Sequence, residues 1–193
     1  MYKAVFLDRD GTINVEKNYL YRSEDFTFID GVPQAIRRLN DAGYLVVVVT
    51  NQSGVARGYF TREDVDLLHR HLQRELELDG ATIDAFYLCP HHPLEGVGEL
   101  KIDCECRKGK PGMLLQAAAE LKIDLKQSYM IGDKLADIEA GGSAGCASIL
   151  VLTGYGAGET DRALAAGALA VVDDLPKAVD YILQYSNPAD CRC

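Results

Sequence analysis

Short, wholly apolar runs alternate along the chain with longer stretches in which apolar residues recur every three or four positions. The runs read as strands buried on both faces; the stretches read as helices with one face turned inward. The first run covers residues 4–7, and a second, with four valines, covers 45–49. Further strands are expected over 83–88, 128–133, 149–152 and 170–172. Between them, Val32, Ala35, Ile36 and Leu39 share a helical face that Gly43 ends. Thr61, with Asp64 three residues on, caps a helix whose buried side is Val65, Leu68, Leu72 and Leu76, with Leu78 as a further candidate. His69 and His71 lie two apart on that helix, cannot point the same way, and read as surface residues. Helices are also expected over 111–121, over 135–140 with Gly141-Gly142 as the stop, over 160–166 and over 176–184.

Strands that alternate with helices predict an α/β fold, a doubly wound, Rossmann-like parallel sheet. Two stretches lack either period. Residues 13–28 are polar and aromatic, and could be a flap over the first strand's end or a surface connection. Residues 89–110 are too long for an idle loop in a compact domain. The expected organisation is one domain over 1–185, with a loop insertion at 89–106 and a polar, flexible tail at 186–193.

Composition narrows the function. At 193 residues and 48% hydrophobic, the chain can bury a core without external staples. A net charge of -9 argues against nucleic acid and anionic membranes as partners. No apolar run nears the roughly 20 residues that span a bilayer. The first strand begins so early that no signal peptide is expected, which points to the cytoplasm. Six cysteines there favour metal or free thiols over disulfides.

The chemistry gathers at strand ends. The first strand runs into Asp8-Arg9-Asp10-Gly11-Thr12. Two carboxylates this close repel, and both stay ionised only beside a cation, so an oxygen-ligand Mg²⁺ site competes here with a plain Asp-Gly turn. The second strand ends in Thr50-Asn51-Gln52-Ser53-Gly54 and the fourth in Gly132-Asp133-Lys134. In doubly wound sheets, ligands bind outside the carboxyl ends of the strands, where all of these fall. Carboxylates with a metal, a hydroxyl and an ammonium group suit phosphoryl transfer.

Together with Arg107-Lys108, these strings resemble in order and spacing the four signature motifs of the haloacid dehalogenase superfamily of phosphohydrolases. The resemblance implies that Asp8 is the nucleophile and Asp10 the general acid/base. It implies that Thr50 and Lys108 hold the phosphoryl group. Mg²⁺ would be held by Asp8, the Asp10 main-chain carbonyl and Asp133.

In the long insertion, Cys89-Pro90-His91 and Cys104-Glu105-Cys106 offer three thiols and an imidazole, the four ligands of a closed structural Zn²⁺ site. His92 is the rival to His91. Such a site would pin the loop and place Arg107-Lys108 beside the strand ends. A zinc loop without a large cap domain resembles the superfamily's subgroup of sugar-bisphosphate and histidinol-phosphate phosphatases. By that resemblance Glu16, Lys17, Asn18, Tyr19, Thr50, Asn51, Gln52, Ser53, Arg107, Lys108 and Lys134 contact substrate, with Arg107 setting specificity. The expected partner is a small phosphorylated sugar, bound by a monomer. A catalytically silent, zinc-stabilised binding module is the alternative from another class, and the pairing of Asp8 with Asp10 speaks against it. Gly109 departs from the family, which has proline after Arg-Lys, and is expected to loosen the backbone beside Lys108. Cys146 reads as a packing residue, and Cys191 and Cys193 as free thiols.

Overall fold

The computed structural model describes residues 1–185. The expectations for the tail, Cys191 and Cys193 included, lie outside the described residues. Strands β1 (Ala4–Leu7), β2 (Leu45–Asn51), β3 (Ala85–Cys89), β4 (Tyr129–Gly132), β5 (Ala147–Val151) and β6 (Ala170–Val172) form one sheet in the order β3-β2-β1-β4-β5-β6, with every neighbouring pair parallel. The order reverses between β1 and β4, which is the switch point where such sheets open a crevice.

Alternation along β1 feeds two cores. Val5 and Leu7 join the face covered by α1 (Val32–Asp41) and α7 (Leu175–Tyr185), together with Leu72 and Leu76 of α3 (Arg62–Leu78). Ala4 and Phe6 join the face covered by Met113, Leu114 and Ala117 of α4 (Gly112–Leu121) and Ala140 of α5 (Leu135–Ala144). All four β1 residues are fully buried, the state that an unbroken apolar run implies. Cys146 packs in the second core, as expected of it. A short helix, α6 (Thr160–Ala165), contributes Ala163 against Ile138 and Leu150.

Three local expectations need correction. A one-turn helix, α2 (Ser53–Ala56), follows β2; one turn is too short to show a period. Helix α5 does not stop at Gly141-Gly142 but runs to Ala144 and ends at Gly145. A Cβ on Gly141 would lie 2.2 Å from Ser148 Oγ and 2.7 Å from Met130 Cβ, so this glycine brings the helix close to β4 rather than ending it. Leu78 is exposed at the end of α3.

His69 is the largest departure. It is buried, not on the surface, its ring stacked 4.5 Å from that of Phe86, while His71 is half-buried against Phe26. Burial, assisted by the Arg9 charge, lowers the His69 pKa to about 3. In the unfolded chain the imidazole takes a proton below about pH 6.5. The unfolded state therefore binds the extra proton between those two values, and stability falls as pH drops through that window. His69→Gln cannot titrate. Its stability in urea is expected to fall less than the parent's between about pH 7 and pH 4.5, and parallel slopes would refute the burial of a neutral imidazole.

Candidate active site

The ends of β1, β2 and β4 open on a crevice of about 280 Å³ lined by Asp8, Asp10, Thr50, Asn51, Gln52, Ser53, Lys108, Lys134 and Asp137, with Glu16, Asn18, Tyr19 and Tyr155 at its rim. Asp8 directly follows β1 and Asp133 directly follows β4, on either side of the switch point. One carboxylate oxygen from each of Asp8, Asp133 and Asp137 lies within 4.8 Å of the others, and all three residues are buried.

Lys108 is the cation placed among them, 2.7 Å from Asp8 Oδ1 and 2.8 Å from Asp137 Oδ1. Burial opposes its charge, but Asp137 and Asp8 outweigh that effect and raise its pKa. For Lys134 also, burial is outweighed by Asp8, Asp133, Glu16 and Asp137, and its pKa rises. The acids are less well served. Burial first, then the nearby Asp8 charge, lifts the Asp133 carboxyl to about 7. Burial lifts Asp137 to about 6 against the pull of Lys108. Asp133 Oδ2 accepts from the Tyr155 backbone N–H at 2.9 Å, while its Oδ1 has no hydrogen-bond partner. Lys134 Nζ stands 3.8 Å from that oxygen. A buried orphan oxygen among crowded carboxylates fits a hard divalent cation. Asp137 is otherwise engaged: its Oδ1 meets Lys108 and its Oδ2 accepts from the Lys134 backbone N–H at 3.0 Å. That leaves Asp8 and Asp133 as the side chains available to an ion.

Asp10 lies outside the acidic cluster. Burial alone would raise its pKa, but the Arg9 guanidinium and hydrogen bonds from Arg9, Asn14 and Gln52 hold it below the usual carboxylate range. The cation that lets Asp8 and Asp10 coexist is thus partly built in. Gln52 Nε2 donates to both Asp10 Oδ2 and Thr50 Oγ1, at 2.9 Å each, and so spaces the acid from the hydroxyl. The Asn51 side chain accepts from the Lys108 N–H at 2.9 Å and donates to the Lys108 carbonyl at 3.3 Å. The end of β2 thereby fixes the loop residue that carries the ammonium group.

That loop is otherwise irregular. It starts at Cys89, the last residue of β3 and the register partner of Asn51. Cys89, His91, Cys104 and Cys106 each place a donor atom within 4.8 Å of the others. Cys89 and Cys104 sulfurs are 3.5 Å apart, Cys104 and Cys106 sulfurs 3.2 Å, and His91 Nδ1 is 3.4 Å from Cys106 Sγ. A tetrahedral ion with Zn–S bonds of about 2.3 Å has edges of roughly that scale. His92 is not in the cluster; its Nδ1 accepts backbone N–H groups of Leu94 and Glu95. Gly109 adopts φ +89° and donates its N–H to the Ala136 carbonyl at 3.0 Å. Proline can do neither. The expected loosening beside Lys108 is therefore corrected to a tie between the loop and α5.

The flap reading of residues 13–28 fits the geometry. Val15 and Ile29 N–H groups bond the Thr27 and Ile13 carbonyls, which brings Glu16, Asn18 and Tyr19 to the rim. Lys17 is not brought in; it turns outward and donates to the Asp25 carbonyl at 2.6 Å. Nor does Arg107 line the crevice, since its guanidinium donates to the His91 carbonyl at 3.1 Å. Asp137 and Tyr155 were not foreseen. Asp137 follows Asp133 by four residues and sits at the third position of α5, where a cap-reading acid could have flagged it. Tyr155 gave no signal in its spacing.

A HAD-hydrolase-like family model matches residues 105–178. The D-glycero-beta-D-manno-heptose-1,7-bisphosphate 7-phosphatase of Haemophilus influenzae is 47% identical over 178 residues, 92% of this chain and 96% of that protein. The protein of the same name from Escherichia coli K12 is 45% identical, over 91% of this chain and 93% of its own. Among solved structures, the D,D-heptose 1,7-bisphosphate phosphatase of B. bronchiseptica, complexed with magnesium and phosphate, superimposes with a TM-score of 0.81 at 37% identity, covering 95% of this chain and 99% of that one.

Removing Lys108 isolates the electrostatic problem it answers. Lys108→Met leaves three buried carboxylates without their central cation and is expected to cost about 3–5 kcal/mol of stability without divalent ions. Urea unfolding in EDTA and in Mg²⁺ checks this. The loss should shrink in Mg²⁺, and an equal loss in both would show that the carboxylates do not share an ion.

Proposed function

This chain belongs to the HAD-like phosphatase family, and we propose that it removes the 7-phosphate of D-glycero-D-manno-heptose 1,7-bisphosphate, feeding precursors of the lipopolysaccharide core. What carries the reaction type is Lys108, set between Asp8 and Asp137 at the crevice that Asp10 also lines. The sugar comes from relatives named for that reaction, which match nearly the whole chain. The described residues include no helix long and apolar enough to cross a membrane.

In this reading an Asp8 carboxylate oxygen attacks phosphorus, and the bond to the sugar oxygen breaks. Asp10, ionised beside Arg9 in the free protein, takes up a proton as the anionic substrate enters and gives it to the departing alkoxide, the usual task of a general acid. The phosphoryl group is then carried on Asp8 as an aspartyl-phosphate, so one hard displacement becomes two easier ones. Water attacks next, Asp10 takes its proton, and inorganic phosphate leaves with Asp8 restored. Thr50 and Lys108 hold the transferring oxygens. Asp8 and Asp133 side chains, with the Asp10 carbonyl, are the Mg²⁺ ligands; the ion would offset the repulsion between carboxylate and phosphate dianion. Glu16, Asn18, Tyr19, Asn51, Gln52, Ser53 and Lys134 face the sugar. Lys17 and Arg107 reach it only by leaving the carbonyls they now serve, and Arg107 is the candidate grip for the second phosphate.

Phosphate release from both anomers of the heptose bisphosphate, set beside histidinol phosphate, tests the substrate. Faster turnover of histidinol phosphate would overturn the choice in favour of the amino-alcohol ester. Asp10→Asn is expected to lower turnover by about 10²–10⁴-fold while Mg²⁺ binding persists. Unaltered turnover there would refute Asp10 as the acid/base.

Cys89, His91, Cys104 and Cys106 form the structural Zn²⁺ site in this reading. Elemental analysis should find one zinc per chain. Its removal by a strong chelator should expose residues 89–110 to proteolysis and lower activity, with Mg²⁺ restored in excess, because the loop delivers Lys108. A zinc-free protein that is fully active and protease-resistant would refute the site.

A further inference from the structure

Arg9 lies between the two aspartates and has no place in the mechanism above. It is nonetheless a fully buried charge and one of the largest side chains in the interior. A buried guanidinium is tolerated only when its donors are met. Its Nε donates to Asp10 Oδ1 at 3.3 Å and its Nη2 to Asp10 Oδ2 at 2.8 Å, a two-point grip on one carboxylate. Nη2 also donates to the Leu20 carbonyl at 3.1 Å, inside the flap. Nη1 lies 3.3 Å from His69 Nε2 on α3. Guanidinium nitrogens can only donate, so His69 Nε2 must be an acceptor and the ring must be neutral, with its proton on Nδ1. The ring is itself held flat against Phe86.

We infer that His69 and Arg9 form a positioning relay that sets the orientation of the Asp10 carboxyl toward the leaving group. The chain of contacts runs from Phe86 through His69 and Arg9 to Asp10, and none of the first three lines the crevice. Two of its features go beyond packing. The two-point grip fixes the plane of the Asp10 carboxyl as well as its position. The Leu20 contact ties that plane to the flap that carries Glu16, Asn18 and Tyr19, so the acid and the sugar-facing rim share one anchor. An acid that must serve twice, giving a proton and then taking one, gains from a plane that does not wander.

The inference rests on Asp10 as general acid/base, and two substrates separate the two ideas. A sugar phosphate expels a poor leaving alkoxide and needs the proton. p-Nitrophenyl phosphate expels a phenolate that leaves unaided. kcat/KM covers the steps through transfer to Asp8. His69→Phe keeps the stack on Phe86 but removes the acceptor. It is expected to lower kcat/KM for the heptose bisphosphate by at least about tenfold and for p-nitrophenyl phosphate by less than about threefold. His69→Gln, which can present an oxygen near the Nε2 position, should restore the sugar phosphate value, with Mg²⁺ affinity unchanged in both variants. If His69→Phe fails to fold, His69→Asn, whose acceptor falls one methylene short, replaces it in the same comparison. Equal losses on the two esters, or no rescue by glutamine, would overturn the relay and leave the acid/base assignment standing. Asp10→Asn with parental kcat/KM on the sugar phosphate would overturn both.

Discussion

Three carboxylates buried together at the mouth of a parallel sheet are the constraint from which most of this structure follows. At an effective dielectric near 20, two unit charges 4 Å apart repel by about 4 kcal/mol, and Asp8, Asp133 and Asp137 make three such pairs. The fold cannot avoid the crowding, because β1 and β4 are neighbours and each is followed directly by an aspartate. It answers with Lys108, which no strand or helix supplies. A loop must deliver it, and that loop has no regular structure of its own to hold it in place. Asn51 therefore grips the Lys108 backbone on both sides, Gly109 is tied to α5, and three thiols and an imidazole from the loop's two ends gather in one cluster. The long insertion thus ends on an ammonium group whose backbone is held on both sides.

The same constraint separates the two aspartates of the opening motif. Asp8 faces the acidic cluster and Lys108. Asp10 faces Arg9, Asn14 and Gln52, each of them a donor. Carboxylates in such different surroundings take different tasks. Asp8, the nucleophile of the proposed reaction, shares its negative charge with the Lys108 ammonium group. Asp10, the acid/base of the proposed reaction, is paired with its own arginine and not with Lys108.

Much of this was legible in the sequence, for a physical reason. Strands buried on both faces leave unbroken apolar runs, and residues 4–7 and 45–49 marked β1 and β2 nearly to the residue. The crevice could be located because chemistry in such sheets sits where those runs end, and Asp8, Thr50 and Asp133 all stood there. What did not show was side-chain direction. His69 has the spacing of the buried face, four residues after Val65 and three before Leu72, but its polar side chain argues for the surface, and only the position of Arg9 opposite α3 makes it an interior acceptor. Gly141 and Gly109 carried the signature of breakers, yet one allows a helix to approach β4 and the other fills a left-handed turn with a bonded N–H. Glycine marks an unusual backbone need without saying which need it is. Lys17 and Arg107 have the right composition and address for anion contacts, but a nearby carbonyl claims each of them.

The division of labour between floor and rim follows from where rigidity is available. In the proposed reaction the groups that would touch the transferring phosphorus rest on strand ends, or, in the case of Lys108, on a loop clamped to one. Of the groups proposed to face the rest of the substrate, Glu16, Asn18 and Tyr19 rest on the flap. Tyr155 joins the two: its N–H holds Asp133, its hydroxyl donates to Asn18 at 2.9 Å, and Lys134 lies 4.8 Å over its ring. A ligand that shifts Asn18 therefore pulls on the residue that orients Asp133, and Arg9 makes a parallel link from Leu20 to Asp10. Both carboxylates are thus coupled to the flap through a single intervening side chain each. Substrate fit at the rim and charge alignment at the floor are in this molecule two ends of the same short connections, so a sugar that seats the flap badly pays in the chemical step as well as in binding.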